Sequence, residues 1–341
     1  MLYGLAQRPV DEWAARYAAS PEKRHYVDER AGTNPAQAAP ASAAKSSRGN
    51  GLAQWWTLVQ RNLAVKIRDR ANLAILLAQA PLIGFLIGAV FRQQGPGAAD
   101  PAVANLATET ALFLMVLAAI WFGCSNSARE IVGEWAIYRR ERMINLGIPA
   151  YLGSKLTLLG GLCVVQCGAL LAIVAPALGL KGPLVRMFGL LLLAALIGSA
   201  LGLLVSAAAR SSETAISLVP LLLLPMVILG GLMQPVHRMA KPVQLLAHAM
   251  PSRWAFEGLL TLESRAAATQ PAPVDLARAE GSPPPVASGD LAERCFPSKK
   301  RSTLPRVVAV CAGVLIALIA SIAGQLRLRD IHGSLSHRRL P

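Results

Sequence analysis

Six stretches of this chain, 71–91, 108–127, 152–177, 186–208, 214–233 and 306–326, are long, apolar and nearly free of charge. A helix needs about 20 such residues to cross the hydrocarbon of a bilayer. In hydrocarbon every backbone N–H and C=O must be paired, and a helix pairs its own. The expected fold is therefore all-α, a polytopic membrane protein with six transmembrane helices. Composition agrees, with 54% hydrophobic and 16% charged residues, far more apolar than an ordinary soluble domain. The net charge of +15 would point to nucleic acid on a soluble domain. Here the Lys and Arg residues gather beside the spans, where they anchor helix ends, so the bilayer and not nucleic acid is the expected partner.

The same residues set an orientation. With both termini inside, the inner flanks carry fourteen Lys and Arg residues and the short outer loops only Arg92, Lys181 and Arg186. Lys299, Lys300, Arg301 and Arg306 crowd the outer end of the last span, but they belong to a loop of about seventy residues, and long loops escape the charge rule. The expected orientation has both termini cytoplasmic.

Outside the spans, residues 1–30 form a short mixed-charge segment and 31–50, rich in Ala, Pro, Ser and Gly, a flexible linker. Residues 51–70 read as an interfacial helix, with Leu52, Trp55, Trp56, Val59 and Leu63 on one face. Residues 234–305 form the large outer loop: 236–262 amphipathic and re-entrant, 264–303 irregular; residues 327–341 are a cytoplasmic tail. Gly84/Gly88 and Gly198/Gly202, the latter followed by Ser206, make small-residue faces for close packing inside the bundle. Pro81, Pro220 and Pro225 favour kinks in the first and fifth spans.

What the sequence lacks narrows the function. It carries no phosphate-binding G-x-x-x-x-G-K-[ST] loop and none of the common hydrolase, zincin or kinase motifs. Cys163 and Cys167 have no His or acidic companion that would make a metal site. Glu109 sits near the outer end of the second span, and the span interiors offer only Gln79 and Gln166 as strongly polar groups, whereas ion-coupled transport calls for buried carboxylates or broken-helix ion sites. No catalytic site, metal or cofactor is expected in this chain.

One polar stretch stands out, "AREIVGEWAIYRRERMINL" at 128–146, a charged helix of about five turns between the second and third spans. It reads either as a solvated hairpin or as a surface that docks another protein. Its surroundings, "FGCSNSAREIVGEWAIYRRERMINLGIPAYLGSK", resemble the second span and coupling helix of the G-subfamily (White type) of ABC transporters and their bacterial relatives. The run "ILGGLMQPVHRMAKPVQLLAHAMPSRWAFEGLLTLE" is similar to that family's fifth-span exit and re-entrant helices, with Pro and Ser exchanged relative to its commonest form. The likeness covers roughly residues 52–326.

The resemblance implies the six-helix fold of type-two ABC exporters, working as a dimer (a second copy or a homologous half) with an ABC ATPase domain. That domain would bring ATP and Mg. Residues 10–30 faintly resemble the tail behind such a domain, so a truncated or split polypeptide is expected. Glu130, Glu134, Tyr138, Arg139, Arg140 and Glu141 fall in the stretch that couples ATPase to spans. Met115, Val116 and Ile120 on the second span and Leu224 and Val227 on the fifth correspond to the substrate path, and Leu232 and Met233 to the outer gate. An all-apolar path suits an amphipathic or lipid-like cargo, since a charged one would lack partners. Cys295, in a polar outer stretch, is a candidate intersubunit disulfide. The competing functions are a non-transporting membrane scaffold and a secondary transporter.

Overall fold

The computed structural model describes residues 10–29, 51–94, 100–269 and 290–337, in two units, Met1–Asn50 and Gly51–Pro341. In the first unit, α1 (Val10–Ala19) opens on Asp11 and Glu12 and carries Arg16 in its last turn, charges that match the helix dipole. A turn at Pro21–Lys23 follows, capped by the Ser20 hydroxyl. The expected linker 31–50, residues 270–289 of the outer loop and the chain end 338–341 lie outside the described residues.

In the second unit the helices are α2 (Gly51–Arg68), α3 (Arg70–Phe91), α4 (Pro101–Ser127), α5 (Trp135–Ile144), α6 (Ile148–Leu178), α7 (Leu184–Ala208), α8 (Ser212–Ile228), α9 (Lys241–Ala249), α10 (Pro251–Thr269) and α11 (Leu304–His337). No strand occurs among the described residues. Local chemistry explains the boundaries. Asp69, Asp100 and Ser211 cap α3, α4 and α8 through side-chain oxygens that accept from the first turn. Gly179 closes α6 at φ 59°, the left-handed C-terminal signature.

Among the described residues five helices are long and apolar enough to cross a membrane. The fifth expected span, 214–233, forms as the 17-residue α8, which stops at Ile228, still at the lower limit for spanning. The last helix departs from expectation in the other direction. α11 continues to His337, so residues 327–337, expected as a tail, prolong the last helix.

The core is built around α4 and α7, which pack on each other most extensively. Small residues make that possible: a Cβ at Gly123 would overlap the Ala195 carbonyl oxygen, and one at Gly198 the Ile120 carbonyl oxygen. The Gly198/Gly202 face therefore packs within the bundle, and Gly84/Gly88 likewise meets Ile173 and Ala177 of α6. Gln166 is satisfied inside: its Nε2 donates to the Leu76 carbonyl and its Oε1 accepts from Asn126 Nδ2, both at 2.7 Å.

Three expectations change. On α2, Trp55, Leu58, Val59 and Asn62 turn toward α6, with Trp55 Nε1 donating to Thr157 and Asn62 Nδ2 to Ser154. Leu52, Trp56 and Leu63 stay exposed, because two hydrogen-bonding contacts set the rotation of the helix and not the apolar stripe alone. The re-entrant α10 is buried from Pro251 to Ser264, deeper than an interfacial helix. Residues 290–303, expected to be irregular, are turns braced internally by Arg301 on Asp290 (2.7 Å) and pinned to the bundle by Ser264 of α10 on Asp290, by Phe296 against Phe256 and by Ser302 N donating to Glu257 Oε1 (2.6 Å).

Candidate functional site

The polar connector between α4 and α6 is not one five-turn helix. Residues 128–131 form a turn, Val132–Glu134 a single tight turn, and only Trp135–Ile144 is α-helical. The cause is Ser206 at the end of α7, whose hydroxyl oxygen accepts from both Ile131 N and Val132 N at 3.0 Å. Those amides are taken from the helix ladder, and Gly133 loosens the next residue. At the other end Asn145 adopts φ 113°, a left-handed stop that Asn tolerates better than most residues. Gln54 of α2 grips this corner, donating to Asn145 O and accepting from Gly147 N.

The connector has an anchored side. Lys155 of α6, 1% exposed, places its Nζ 3.0 Å from Glu130 and 2.7 Å from Glu134. Lys66 of α2 also pairs with Glu130, and Arg61 with Glu141. Burial pushes the Glu130 carboxyl up, but the Lys155 and Lys66 ammoniums outweigh it and hold the group below its ordinary range. Tyr138 is buried between Trp135 and Tyr151, with ring centroids 5.3 and 4.9 Å away. Burial, and then the nearby Asp330 carboxylate, push its hydroxyl up to about 12.

α11 supplies the last clamp. Asp330 accepts from Arg142 Nε at 2.9 Å, while Arg329 lies 4.6 Å over the Trp135 ring and donates to the Ala209 carbonyl. The connector is thus tied to α2, α6, α7 and α11 at once. Its other side is free: Ile137, Arg139, Arg140, Met143 (82% exposed) and Ile144 (79%) face outward.

Of the six connector residues singled out in the sequence, Glu130, Glu134, Tyr138 and Glu141 are therefore anchors, and Arg139 and Arg140 lie on the open face. The partners Lys66, Lys155, Arg61, Arg142 and Asp330 were not singled out. Lys155 had a legible signal, a lone cation at the start of an apolar span.

The substrate-path residues divide as well. Met115, Val116 and Ile120 are fully buried in the bundle, since the face of α4 that carries them meets α7 and its neighbours. The face of α4 that opens outward carries Leu114, Leu117 and Trp121, and with Leu224 and Val227 of α8 it lines an apolar groove of about 490 Å³. Leu232 packs against the core, while Met233 is exposed beyond the end of α8. Cys295 does not suit an intersubunit bridge. It is 1% exposed, with its Sγ 3.5 Å from Glu109, which Arg294 also binds. Burial, and then the Glu109 charge, push its thiol up to about 12.

Residues 53–263 match the ABC-2 type transporter family. The ABC transporter ATP-binding/permease protein Rv1747 of Mycobacterium tuberculosis is 27% identical over 227 residues, which cover 64% of this chain and 26% of that protein. The chain thus spans about a quarter of that relative's length. With the match extending over more than half of its residues, and with an all-helical bundle of membrane-spanning length, the chain belongs to the ABC-2 type transporter family.

Proposed function

We propose that this chain is the membrane-spanning half of an ATP-driven exporter of the G-subfamily kind, paired with a second half and with an ABC ATPase that brings ATP and Mg. The connector lies on the cytoplasmic side, both termini are cytoplasmic, and the protein resides in a bacterial inner membrane. The cargo is an amphipathic or lipid-like molecule that moves along the apolar groove of α3, α4 and α8 and leaves past Leu232 and Met233. The fused ATP-binding and permease functions in the mycobacterial relative's name support the pairing with an ATPase.

The observation that carries the reading is the two-sidedness of the connector. A solvated hairpin would not need a buried Lys155 holding Glu130 and Glu134, nor clamps to four helices. An element that receives force needs both a rigid attachment and an accessible face. Here the open face offers Met143 and Ile144 beside Arg139 and Arg140, an apolar centre with a cationic rim, which is the anatomy of a protein interface. In the transporter co-expressed with its ATPase, Met143→Glu with Ile144→Glu should leave insertion and folding intact and abolish substrate-stimulated ATP hydrolysis. Unchanged stimulation in that variant would overturn the reading.

A further inference from the structure

The apolar groove lies along α3, α4 and α8, one helical turn on α4 (Trp121 to Ser125) from a polar cavity. The same three helices continue toward the connector and there line this second cavity of about 470 Å³, with Asn72 and Leu76 from α3, Ser125 and Asn126 from α4 and Ser212 from α8. This cavity is lined by charged groups. Lys66, Glu130 and Glu134, with Lys155 behind them, neutralise one another as two cations and two carboxylates. Two lining charges remain uncommitted. Arg129 is exposed and holds no ion pair among the described residues, and Asp69 only accepts from Asn72 N as the cap of α3. Asn126, 4% exposed, also lines the cavity and is held there by the hydrogen bond from its Nδ2 to Gln166.

The geometry points to a binding site for a zwitterionic amphiphile. Its phosphate lies at Arg129, its ammonium at Asp69, and its acyl chain in the groove past Trp121 and Leu117. One free cation and one free anion beside a neutral network select a head of no net charge that carries both signs. An anionic head would satisfy Arg129 and meet Asp69 as a repulsion. Along α4 the distance from Asn126 to Leu114 is about 18 Å at 1.5 Å per residue, close to one leaflet of a hydrocarbon core about 30 Å thick. A second copy of the chain could cover the apolar groove, but it would not account for the paired free charges at its end. This assignment rests on the exporter reading for the direction of transport, but the binding it predicts does not depend on an ATPase.

The test titrates the purified chain in a non-ionic detergent, with native mass spectrometry reporting bound lipid. The probes are lysophosphatidylethanolamine, lysophosphatidylglycerol and tail-free phosphoethanolamine. The ethanolamine lipid should bind about tenfold tighter than the glycerol lipid, as expected for one charge-assisted contact. Tail-free phosphoethanolamine should bind on the order of a hundredfold more weakly, having no apolar area to bury. Asp69→Asn, which keeps a good helix cap, should bring the two lipids to about equal affinity. Arg129→Gln should weaken both about tenfold. Equal binding of the two lipids to the native chain, or a preference unchanged in Asp69→Asn, overturns the proposal. So does a lipid-free dimer as the species that fills the groove. Lipid preference with no transport in the ATPase complex would instead leave the site standing and refute the exporter reading.

Discussion

Replacing Lys155 by Met should destabilise the chain by about 3 kcal/mol at pH 7, and the deficit should shrink in acid. The side chain is 1% exposed and lies 3.0 and 2.7 Å from two carboxylates that are 12% and 31% exposed. Removing one partner of a buried pair costs about 3–5 kcal/mol because the other charge stays behind uncompensated. Glu130 keeps Lys66 and Glu134 is partly solvated, so the lower end applies, a shift on the order of a hundredfold in the folding equilibrium. The sign of the pH effect follows from Glu130. In the native chain its carboxyl is held below the ordinary 4.5, so its contribution is present above that value and is lost as pH falls through the lower folded one. Without Lys155, burial is opposed by Lys66 alone, the carboxylate becomes the costly form, and protonation relieves it. Reversible unfolding in mixed micelles at about pH 7 and about pH 4.5 measures both effects. Adding Glu130→Gln and Glu134→Gln to Lys155→Met should restore most of the loss. A deficit below about 1 kcal/mol at neutral pH, which is the worth of a surface pair, or one that grows in acid, would refute the buried-clamp argument.

Three other outcomes are expected. Arg142→Asp and Asp330→Arg should each cost about 1 kcal/mol in stability, being partners 37% and 22% exposed, yet each should reduce transport per ATP hydrolysed, and the double charge swap should restore it. Gly198→Ala should cost about 1–3 kcal/mol or block folding, since the added carbon strikes a backbone carbonyl of α4, whereas Gly161→Ala, with nothing within 4 Å of the new carbon, should be neutral or slightly stabilising in the same unfolding assay. Non-reducing gels should show no Cys295-dependent dimer. With a thiol near 12, only about 10⁻⁴ of Cys295 is thiolate at pH 8, so maleimide labelling should be slow and should accelerate when Glu109→Gln and Arg294→Gln release the loop.

The spans were legible because bilayer thickness and backbone pairing leave an apolar chain few choices, and the length of each run reports them directly. What escaped was rotation about each helix axis. In an aqueous protein the apolar face is the buried face, but in a bilayer both faces are apolar, so Met115, Val116 and Ile120 could not be told from Leu114, Leu117 and Trp121 by composition. The buried side of α4 is marked by what fits against Gly198 and Gly202, a long-range complementarity that one strand of sequence does not display. The connector failed for a related reason. Its residues read as a continuous helix until Ser206, some 75 residues away, captures two of its amides. Charge pairing was hidden similarly: Lys155 looked like an interfacial anchor, and only the fold brings Glu130 and Glu134 to it.

The division of the connector into an anchored side and an open side also decides which substitutions can probe coupling. Changes at Glu134 or Tyr138 would confound coupling with folding, because one carboxylate neutralises a buried ammonium and the other side chain fills the space between Trp135 and Tyr151. Changes at Arg139, Arg140, Met143 or Ile144 remove no internal contact of comparable weight. The anchored side explains how a push on the open face could reach the groove. Glu130, the Lys155 partner, adjoins Arg129 and shares a cavity wall with Asn126, which is hydrogen-bonded through Gln166 to α3. A displacement of the connector therefore moves the wall that carries the free cation relative to Asp69 on α3. Headgroup binding and force transmission would then act on the same short distance, and a cargo that bridges Arg129 and Asp69 would resist or favour that displacement. Stimulation of ATP hydrolysis by cargo should accordingly be lost in Asp69→Asn even where residual binding persists.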